Sequence, residues 1–125
     1  MRDENALLDM SAQIRQNAFG LHTYLRNGHL EKVYENGLAN RLRKAGYKVE
    51  QQYPLTVRDE DGSILGEYYA DLFVNNCLVV ELKACKTIAD EHIAQVLGYL
   101  RASGQRDGLL INFGSPKIQI KKLIL

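Results

Sequence analysis

The sequence predicts an α/β domain whose helices and strands follow one another in the order ααβββαββ. Three observations support this order: two amphipathic helical stretches open the chain, three strand-like stretches joined by turn sequences follow, and a third helical stretch precedes two further strands. The 125 residues, with 46% hydrophobic and 25% charged side chains, suffice for one domain with a core and are too few for two. We therefore expect residues 1–125 to form a single domain, with residues 1–17 as an N-terminal helical extension.

The two opening helices are indicated by apolar residues that recur at a helical period. We expect the first over residues 5–25, ended by Asn27-Gly28, and the second from Leu30 to Gly46. Glu31 and Glu35 are four residues apart on the second helix and therefore share a face. Because carboxylates in the first turn of a helix suit the helix dipole, we assign Glu35 that structural role.

The middle of the chain is predicted to form three strands connected by short turns. The first alternates apolar and polar residues in part, with Pro54 indicating an edge or an irregularity, and the acidic turn Asp59-Glu60-Asp61-Gly62 joins it to the second. The third strand, CLVVELKA, is a continuous apolar run typical of a strand buried on both faces. The three strands are expected at residues 48–58, 64–74 and 77–84.

A third helix and two more strands complete the chain. Thr87 is a candidate N-cap for a helix that ends just before Gly104. His92, Gln95 and Tyr99 fall on one face of this helix, because their spacings are three and four residues. The last two strands are expected at residues 107–113 and 117–125, the final one at an edge of the sheet.

Glu81 and Lys83 are charged residues within the otherwise apolar third strand. Residues two apart on a strand share a face, so both side chains emerge on one side while their neighbours pack on the other. A buried carboxylate and a buried ammonium each cost several kcal/mol unless something compensates their charge. A metal ion bound to the carboxylate would compensate it, and Asp71 on the preceding strand offers a second carboxylate.

The length of the turn between the second and third strands decides whether these two carboxylates can meet. With a strict two-residue Asn75-Asn76 turn, Asp71 would oppose Val80, and the carboxylates of Asp71 and Glu81 would point to opposite faces. A metal site requires a three-residue connection or a bulge, which places Asp71 opposite Glu81. We predict this longer connection.

The formal net charge of +1 gives no strong polyanion-binding footprint, so any contact with nucleic acid must be a local basic patch. Two clusters are candidates, although such clusters are more often solvated faces: Arg41, Arg43, Lys44 and Lys48, and Lys117, Lys121 and Lys122. Cys77 and Cys85 lack the CxxC spacing of metal and redox sites and predict reduced, packed thiols. With no signal peptide and no apolar run long enough to span a bilayer, we expect a cytoplasmic protein.

The order of elements, with Asp71 on the second strand and Glu-x-Lys on the third, resembles the core of the PD-(D/E)XK nuclease superfamily. Within it the chain is most similar to the small bacterial GxxExxY family, whose naming motif here is GHLEKVY, from Gly28 to Tyr34. The resemblance covers roughly residues 18–125 and includes GEYYADLFV, VVELKA, an HxxQ ending at Gln95 and GLLINFG. The loop before the motif departs from the family, which usually has Gly-Pro-Gly and an aromatic residue where this chain has RNGH.

The resemblance implies a restriction-endonuclease-like central mixed sheet flanked by helices. It also implies a nuclease, dependent on Mg²⁺ or Mn²⁺, that hydrolyses phosphodiester bonds of DNA in preference to RNA, in repair or in mobile-element or phage-related processes. Such chemistry needs a nucleophilic water at neutral pH and charge stabilisation at the phosphate, and a hard divalent cation supplies both.

Site residues are also implied by the resemblance. Asp71 and Glu81 would hold the ion together with the backbone carbonyl of Leu82, and Lys83 would position or polarise the attacking water. Glu31 could hold a second ion or a water on the first. Gln95, which with Tyr99 matches the Gln and Tyr four apart in the RecB-like branch, would orient a ligand, a water or Lys83, with Tyr99 and His22 in supporting positions.

Three alternatives remain open from the sequence. A catalytically inactive nuclease-fold module could bind nucleic acid or a protein partner, and the apolar C-terminal edge could pair with a second copy of the chain. A hydrolase of another phosphate ester would use the same residues. In the third alternative Glu81 and Lys83 form only an intrastrand ion pair, which would leave Asp71, Gln95 and Glu31 as coincidences.

Overall fold

The computed structural model describes residues 3–125 and contains the elements in the predicted order. The helices are α1 (Glu4–Leu25), α2 (Glu31–Lys44) and α3 (Asp90–Ser103). The strands are β1 (Val49–Arg58), β2 (Ile64–Val74), β3 (Leu78–Lys83), β4 (Asp107–Asn112) and β5 (Gln119–Ile124). They form one sheet in the order β1-β2-β3-β4-β5, in which only β3 and β4 run parallel. The predicted mixed sheet flanked by helices is confirmed, and β1 and β5 lie at its edges.

Both faces of the sheet are covered by helices. On one face α1 and α2 pack against alternate residues of β3, Leu78, Val80 and Leu82, in the larger of two cores. On the other face α3 packs against Val79 in a second core. Leu7, Met10 and Ile14 of α1 belong to the larger core, so the first half of this helix is packed on the domain. No helix within residues 3–125 is long and apolar enough to cross a membrane.

The β2–β3 connection has the length that a shared carboxylate site requires. Val74 pairs with Leu78, which leaves Asn75, Asn76 and Cys77 as a three-residue connection. Both asparagines adopt positive φ, 49° and 57°, a conformation that asparagine tolerates better than most residues. Since Leu72 pairs with Val80, the same register places Asp71 opposite Glu81. The predicted longer connection is confirmed.

The β1–β2 hairpin is twisted at Gln52, so that side chains of the same parity lie on one face of the sheet before this residue and on the other face after it. Val49 belongs to the core beneath α1 and α2, whereas Leu55, also an odd-numbered residue of β1, belongs to the core beneath α3. On β2 the same change of face separates Leu72 from Ala70. Gln52 lies at this point with a positive φ of 52°, so the alternation expected for β1 is interrupted there.

The start of α3 differs from the prediction. The helix begins at Asp90, and His92 Nδ1 accepts a hydrogen bond of 3.0 Å from the backbone N–H of Ala89. The prediction of Thr87 as the cap is therefore wrong, because its hydroxyl instead accepts from the Gln119 side chain at 3.2 Å. Gly104 ends the helix in a left-handed conformation, as predicted. Cys77 and Cys85 are half-buried thiols, as expected.

The chain that leaves β3 is fixed against the end of β4. The Asn112 side chain accepts from the N–H of Cys85 at 3.0 Å and donates to the Cys85 carbonyl at 3.0 Å. Gly114 passes so close that a Cβ there would lie 2.2 Å from Cys85 N. These contacts set the position of the strand end that carries Lys83.

We expect Gly114→Ala to lower the free energy of unfolding by about 2–3 kcal/mol or more, because the new methyl group would overlap backbone atoms that cannot move aside cheaply. Gly98→Ala is the matched control: a Cβ at Gly98 meets nothing within 4 Å, and the helix α3 should gain up to about 1 kcal/mol from the better helix former. Urea denaturation measures both. Equal stability of the two variants would contradict the close approach at Gly114.

Candidate active site

Asp71 and Glu81 lie together where β2 and β3 cease to pair. The ladder ends at Leu72 and Val80, and Asp71 Oδ2 then accepts a hydrogen bond of 2.8 Å from the backbone N–H of Leu82. The two acidic residues are buried, with 8% and 4% of their surface exposed. Since N–H and C=O of one strand residue point the same way, the Leu82 carbonyl leaves the strand on the side of Asp71.

The environment of the Glu81 carboxyl group disfavours its charged form. Burial, the hydrogen bond to Asp71 and the charge of Asp71 together raise the pKa of Glu81 to about 10, against the opposing charge of Lys83. Its Oε2 atom is buried and has no hydrogen-bond partner within residues 3–125. A buried polar atom without a partner costs about 1–3 kcal/mol. A cation placed between the two carboxylates would remove this cost.

Lys83, Gln95 and Tyr99 form a hydrogen-bonded chain beside the carboxylates. Lys83 Nζ donates to Gln95 Oε1 at 2.9 Å, and the Gln95 side chain also hydrogen bonds to the Tyr99 hydroxyl. Burial and the charges of Glu81 and Asp71 together raise the pKa of Tyr99 to about 12. The structure therefore brings together five of the sequence-predicted residues on β2, β3 and α3.

Glu31 reaches the same place from α2. Partial loss of solvent around its carboxylate raises the pKa of Glu31, as does the nearby charge of Asp71, while the charge of Lys83 and a hydrogen bond from the N–H of Ala84 lower it. Glu31 is the first residue of the helix and remains exposed, at the rim of the site. The charge interactions with Asp71 and Lys83 indicate that Glu31 lies near the buried pair.

Glu35 and Gln52 are residues of the site that sequence reasoning missed. Glu35 is 3% exposed and accepts hydrogen bonds of 2.7 Å from the side chains of Gln51 and Gln52, besides one of 2.9 Å from Lys32. The assignment of Glu35 to the helix dipole is therefore wrong, because the residue lies in the second turn and is buried. Gln52 Nε2 also donates to Asp71 Oδ1 at 3.1 Å, which links Glu35 to the carboxylate pair.

Only the spacing of Glu35 offered a signal in the sequence, since it follows Glu31 by four residues on one helix face. For Gln52 no signal existed. A glutamine in a partly alternating strand is typically predicted to be solvated. It is the twist of the hairpin that directs the Gln52 side chain to Asp71.

His22 makes its side-chain contacts with Ser115 and Phe113. It belongs to the last turn of α1, where its Nε2 hydrogen bonds to the Ser115 carbonyl at 3.0 Å and its ring lies 6.2 Å from that of Phe113. Phe113 in turn donates its backbone N–H to the Lys83 carbonyl at 2.8 Å. The structure thus places His22 behind the strand end that carries Lys83, not beside Asp71 or Glu81.

The donor set fits a magnesium-type ion. Residues 3–125 hold no group of three or more His, Cys, Asp or Glu side chains arranged to bind a metal. Magnesium binds through one or two carboxylates and keeps several waters. Asp71, Glu81 and the Leu82 carbonyl provide such a set, and the unpartnered Glu81 oxygen is the atom that an ion would satisfy.

The metal-free protein should lose stability as the pH rises from 6 to 9. Because the folded-state pKa of Glu81 lies near 10 and its ordinary value is 4.5, the folded state holds one proton more than the unfolded state in this range. The free energy of unfolding should then fall by up to about 1.4 kcal/mol per pH unit. Urea denaturation in chelator measures this slope.

Glu81→Gln should remove most of that slope, whereas Glu67→Gln, at an exposed position of β2, should keep it. An identical pH dependence in the native protein and Glu81→Gln would contradict the environment assigned to Glu81.

Comparisons with known proteins support the fold. The crystal structure of SSO0001 has a similar fold, with a TM-score of 0.59 at 18% sequence identity. The superposition covers 74% of this chain and 48% of that chain, so this chain spans about half the length of that solved protein. No curated protein matches the sequence. A family profile matches residues 8–123, and the chain therefore belongs to the PD-(D/E)XK nuclease superfamily, whose members generally use divalent metal ions.

Proposed function

We propose that this protein is a nuclease that uses Mg²⁺, or Mn²⁺ in its place, to hydrolyse phosphodiester bonds of DNA in preference to RNA. The observation that carries the proposal is the buried, unpartnered Glu81 oxygen beside Asp71. A purely structural explanation would require an ion pair between Glu81 and Lys83. The Lys83 ammonium instead donates to Gln95, and although its charge acts on Glu81, it does not pair with the buried Glu81 oxygen.

Asp71, Glu81 and the Leu82 carbonyl would hold the ion. When bound, it would supply charge stabilisation at the phosphate oxygens and a lower pKa for the attacking water. The chain's own groups prepare the remainder of the site. The Leu82 N–H and Gln52 fix the Asp71 carboxylate from two directions. Gln95 holds the Lys83 ammonium at the rim, where it can attract the scissile phosphate and orient the attacking water, and Glu31 can accept a hydrogen bond from a water there.

The finer family assignment is also a proposal. We assign the chain to the GxxExxY group, because two of the three residues that name the motif, which runs from Gly28 to Tyr34, have a role in the structure. Its Glu31 lies at the site. Its Tyr34 stacks on Phe113 with ring centroids 4.7 Å apart and donates to the Arg26 carbonyl. Tyr34 thereby fixes the loop before α2, although this loop departs from the family's usual sequence. We further propose that the chain is one domain and that it acts in repair or in mobile-element or phage-related processes.

Metal binding and cleavage, measured together, test the proposed function. We expect calorimetry to show Mg²⁺ or Mn²⁺ binding to the native protein, retained in Lys83→Ala and lost in Asp71→Asn and Glu81→Gln. We expect cleavage of plasmid and single-stranded DNA to fall about 100-fold or more in all three variants, because each loses charge stabilisation or positioning at the phosphate.

Metal binding without cleavage would overturn the nuclease assignment in favour of another phosphate ester. The absence of binding at millimolar metal would overturn catalysis altogether and indicate a binding module on a nuclease fold. Glu67→Gln serves as the control for a carboxylate outside the site.

Gln52 and Gln51 form a matched pair that tests the role of the hydrogen bonds between Glu35 and Asp71. Both side chains donate to Glu35, but only Gln52 also donates to Asp71. We expect Gln52→Ala to weaken metal binding about 10-fold, the usual scale for loss of a partner that orients a metal ligand, while Gln51→Ala leaves it within about twofold. Calorimetry of both variants makes the measurement, and equal effects would show that Gln52 does not orient Asp71.

A further inference from the structure

A groove lies between the outer part of the β1–β2 hairpin and the C-terminal half of α3. Its volume is about 550 Å³, and its walls include Arg58 and Tyr68 of the hairpin and Gly98 and Arg101 of the helix. We call it the arm groove. It lies outside the carboxylate site, and none of the residues considered above for catalysis lines it.

The arm groove carries a positive charge that nothing in its walls neutralises. Arg58 and Arg101 are both exposed, and no carboxylate is among the residues that line the groove. Arg58 is oriented by a hydrogen bond of 3.1 Å from its guanidinium to the Gly62 carbonyl. Two guanidinium groups on facing walls are suited to phosphate groups, with which arginine forms paired hydrogen bonds.

Tyr68 connects the arm groove to the candidate active site. The residue is 50% exposed, and its ring lies 5.5 Å from that of Tyr99. Tyr99 in turn hydrogen bonds to Gln95, the partner of Lys83. A half-exposed aromatic ring beside exposed arginines is the combination that binds single strands, where bases stack on the ring and the backbone meets the cations.

The other basic clusters are less suited to this role. Arg43 uses its guanidinium to bind the Val49 carbonyl at 2.8 Å and Gln51 at 3.1 Å, and Lys48 pairs with Glu50 at 3.3 Å. Lys121 and Lys122 lie on β5, which β4 separates from the strands of the site. These side chains thus either hold the fold together or lie far from the carboxylates.

We propose that the arm groove binds a single-stranded segment of nucleic acid, with Arg58 and Arg101 on phosphates and Tyr68 stacked on a base. The inference rests on the proposed function, because the strand that occupies the groove would continue past Tyr99 to the carboxylates. A duplex fits less well, since its bases already stack on each other and offer a free face only at the ends.

Fluorescence anisotropy with a labelled single-stranded 12-mer, in chelator to prevent cleavage, tests the groove directly. We expect tighter binding of the single strand than of the matching duplex. Arg58→Ala and Arg101→Ala should each weaken binding about 5- to 10-fold and lower the slope of log K against log salt by about 0.7. Tyr68→Ala should weaken it about 5- to 50-fold, whereas Tyr68→Phe should retain it.

Two kinds of control separate the groove from general charge and from folding. Lys117→Ala and Lys121→Ala remove the same charge elsewhere and should change binding less than twofold. Gly98→Phe should abolish binding while the protein stays folded, because a side chain at this position points into open space. Binding unaffected by Arg58→Ala, Arg101→Ala and Gly98→Phe would overturn the proposal, and equally tight binding of duplex would overturn the single-strand assignment.

Hydrolysis of bis(p-nitrophenyl) phosphate with Mn²⁺ separates the test of the arm groove from the test of the nuclease function. This small diester needs the carboxylates and not the groove. Normal turnover of it by Gly98→Phe, together with a raised KM for oligonucleotide, would support the groove. No turnover by the native protein would count against the nuclease function, and the anisotropy measurements would still decide the groove.

Discussion

Two buried carboxylates, Asp71 and Glu81, share the fork between β2 and β3, and the surrounding structure limits what that arrangement costs. Burial disfavours the charged form of Glu81, and the hydrogen bond and nearby charge of Asp71 add to this, which is why the pKa of Glu81 is raised. The Leu82 N–H and Gln52 satisfy Asp71, and the charge of Lys83 opposes the shift at Glu81. One Glu81 oxygen remains without a partner. Stability alone would favour an apolar residue there, and this is the reason why we propose that the carboxylate pair binds an ion.

The twist of the β1–β2 hairpin at Gln52 allows the helices on both faces of the sheet to contribute side chains to one site. α2 covers one face of the sheet and α3 the other, and an untwisted sheet would keep their side chains apart. Because the hairpin changes faces at Gln52, Glu35 of α2 reaches Asp71 through that residue, while Gln95 and Tyr99 of α3 approach from the opposite side. The positive φ of Gln52 is an unfavourable backbone conformation that accompanies this arrangement of side chains.

The same hairpin extends beyond the site and shapes the arm groove. Its inner part holds Asp71, and its outer part presents Tyr68 and Arg58 to α3. The contact between Tyr68 and Tyr99 joins the two regions. The helix α3 therefore faces the carboxylates with Gln95 and the groove with Arg101. A shift of this helix would alter both places at once.

The sequence by itself determined the order of the elements and the alternation of β3, whereas the register that puts Asp71 opposite Glu81 was predicted from the needs of a shared site and decided by the structure. These features depend on residues close along the chain, and the periodicities of helix and strand report such local arrangement directly. The family resemblance added Glu31, Gln95 and Tyr99, which the structure does bring to the carboxylates. Only the tertiary structure decided the roles of Glu35 and Gln52. Gln52 contacts Glu35, 17 positions before it on α2, and Asp71, 19 positions after it across the twisted hairpin. The periodicity of a helix or strand gives no information about contacts between residues so far apart in the sequence.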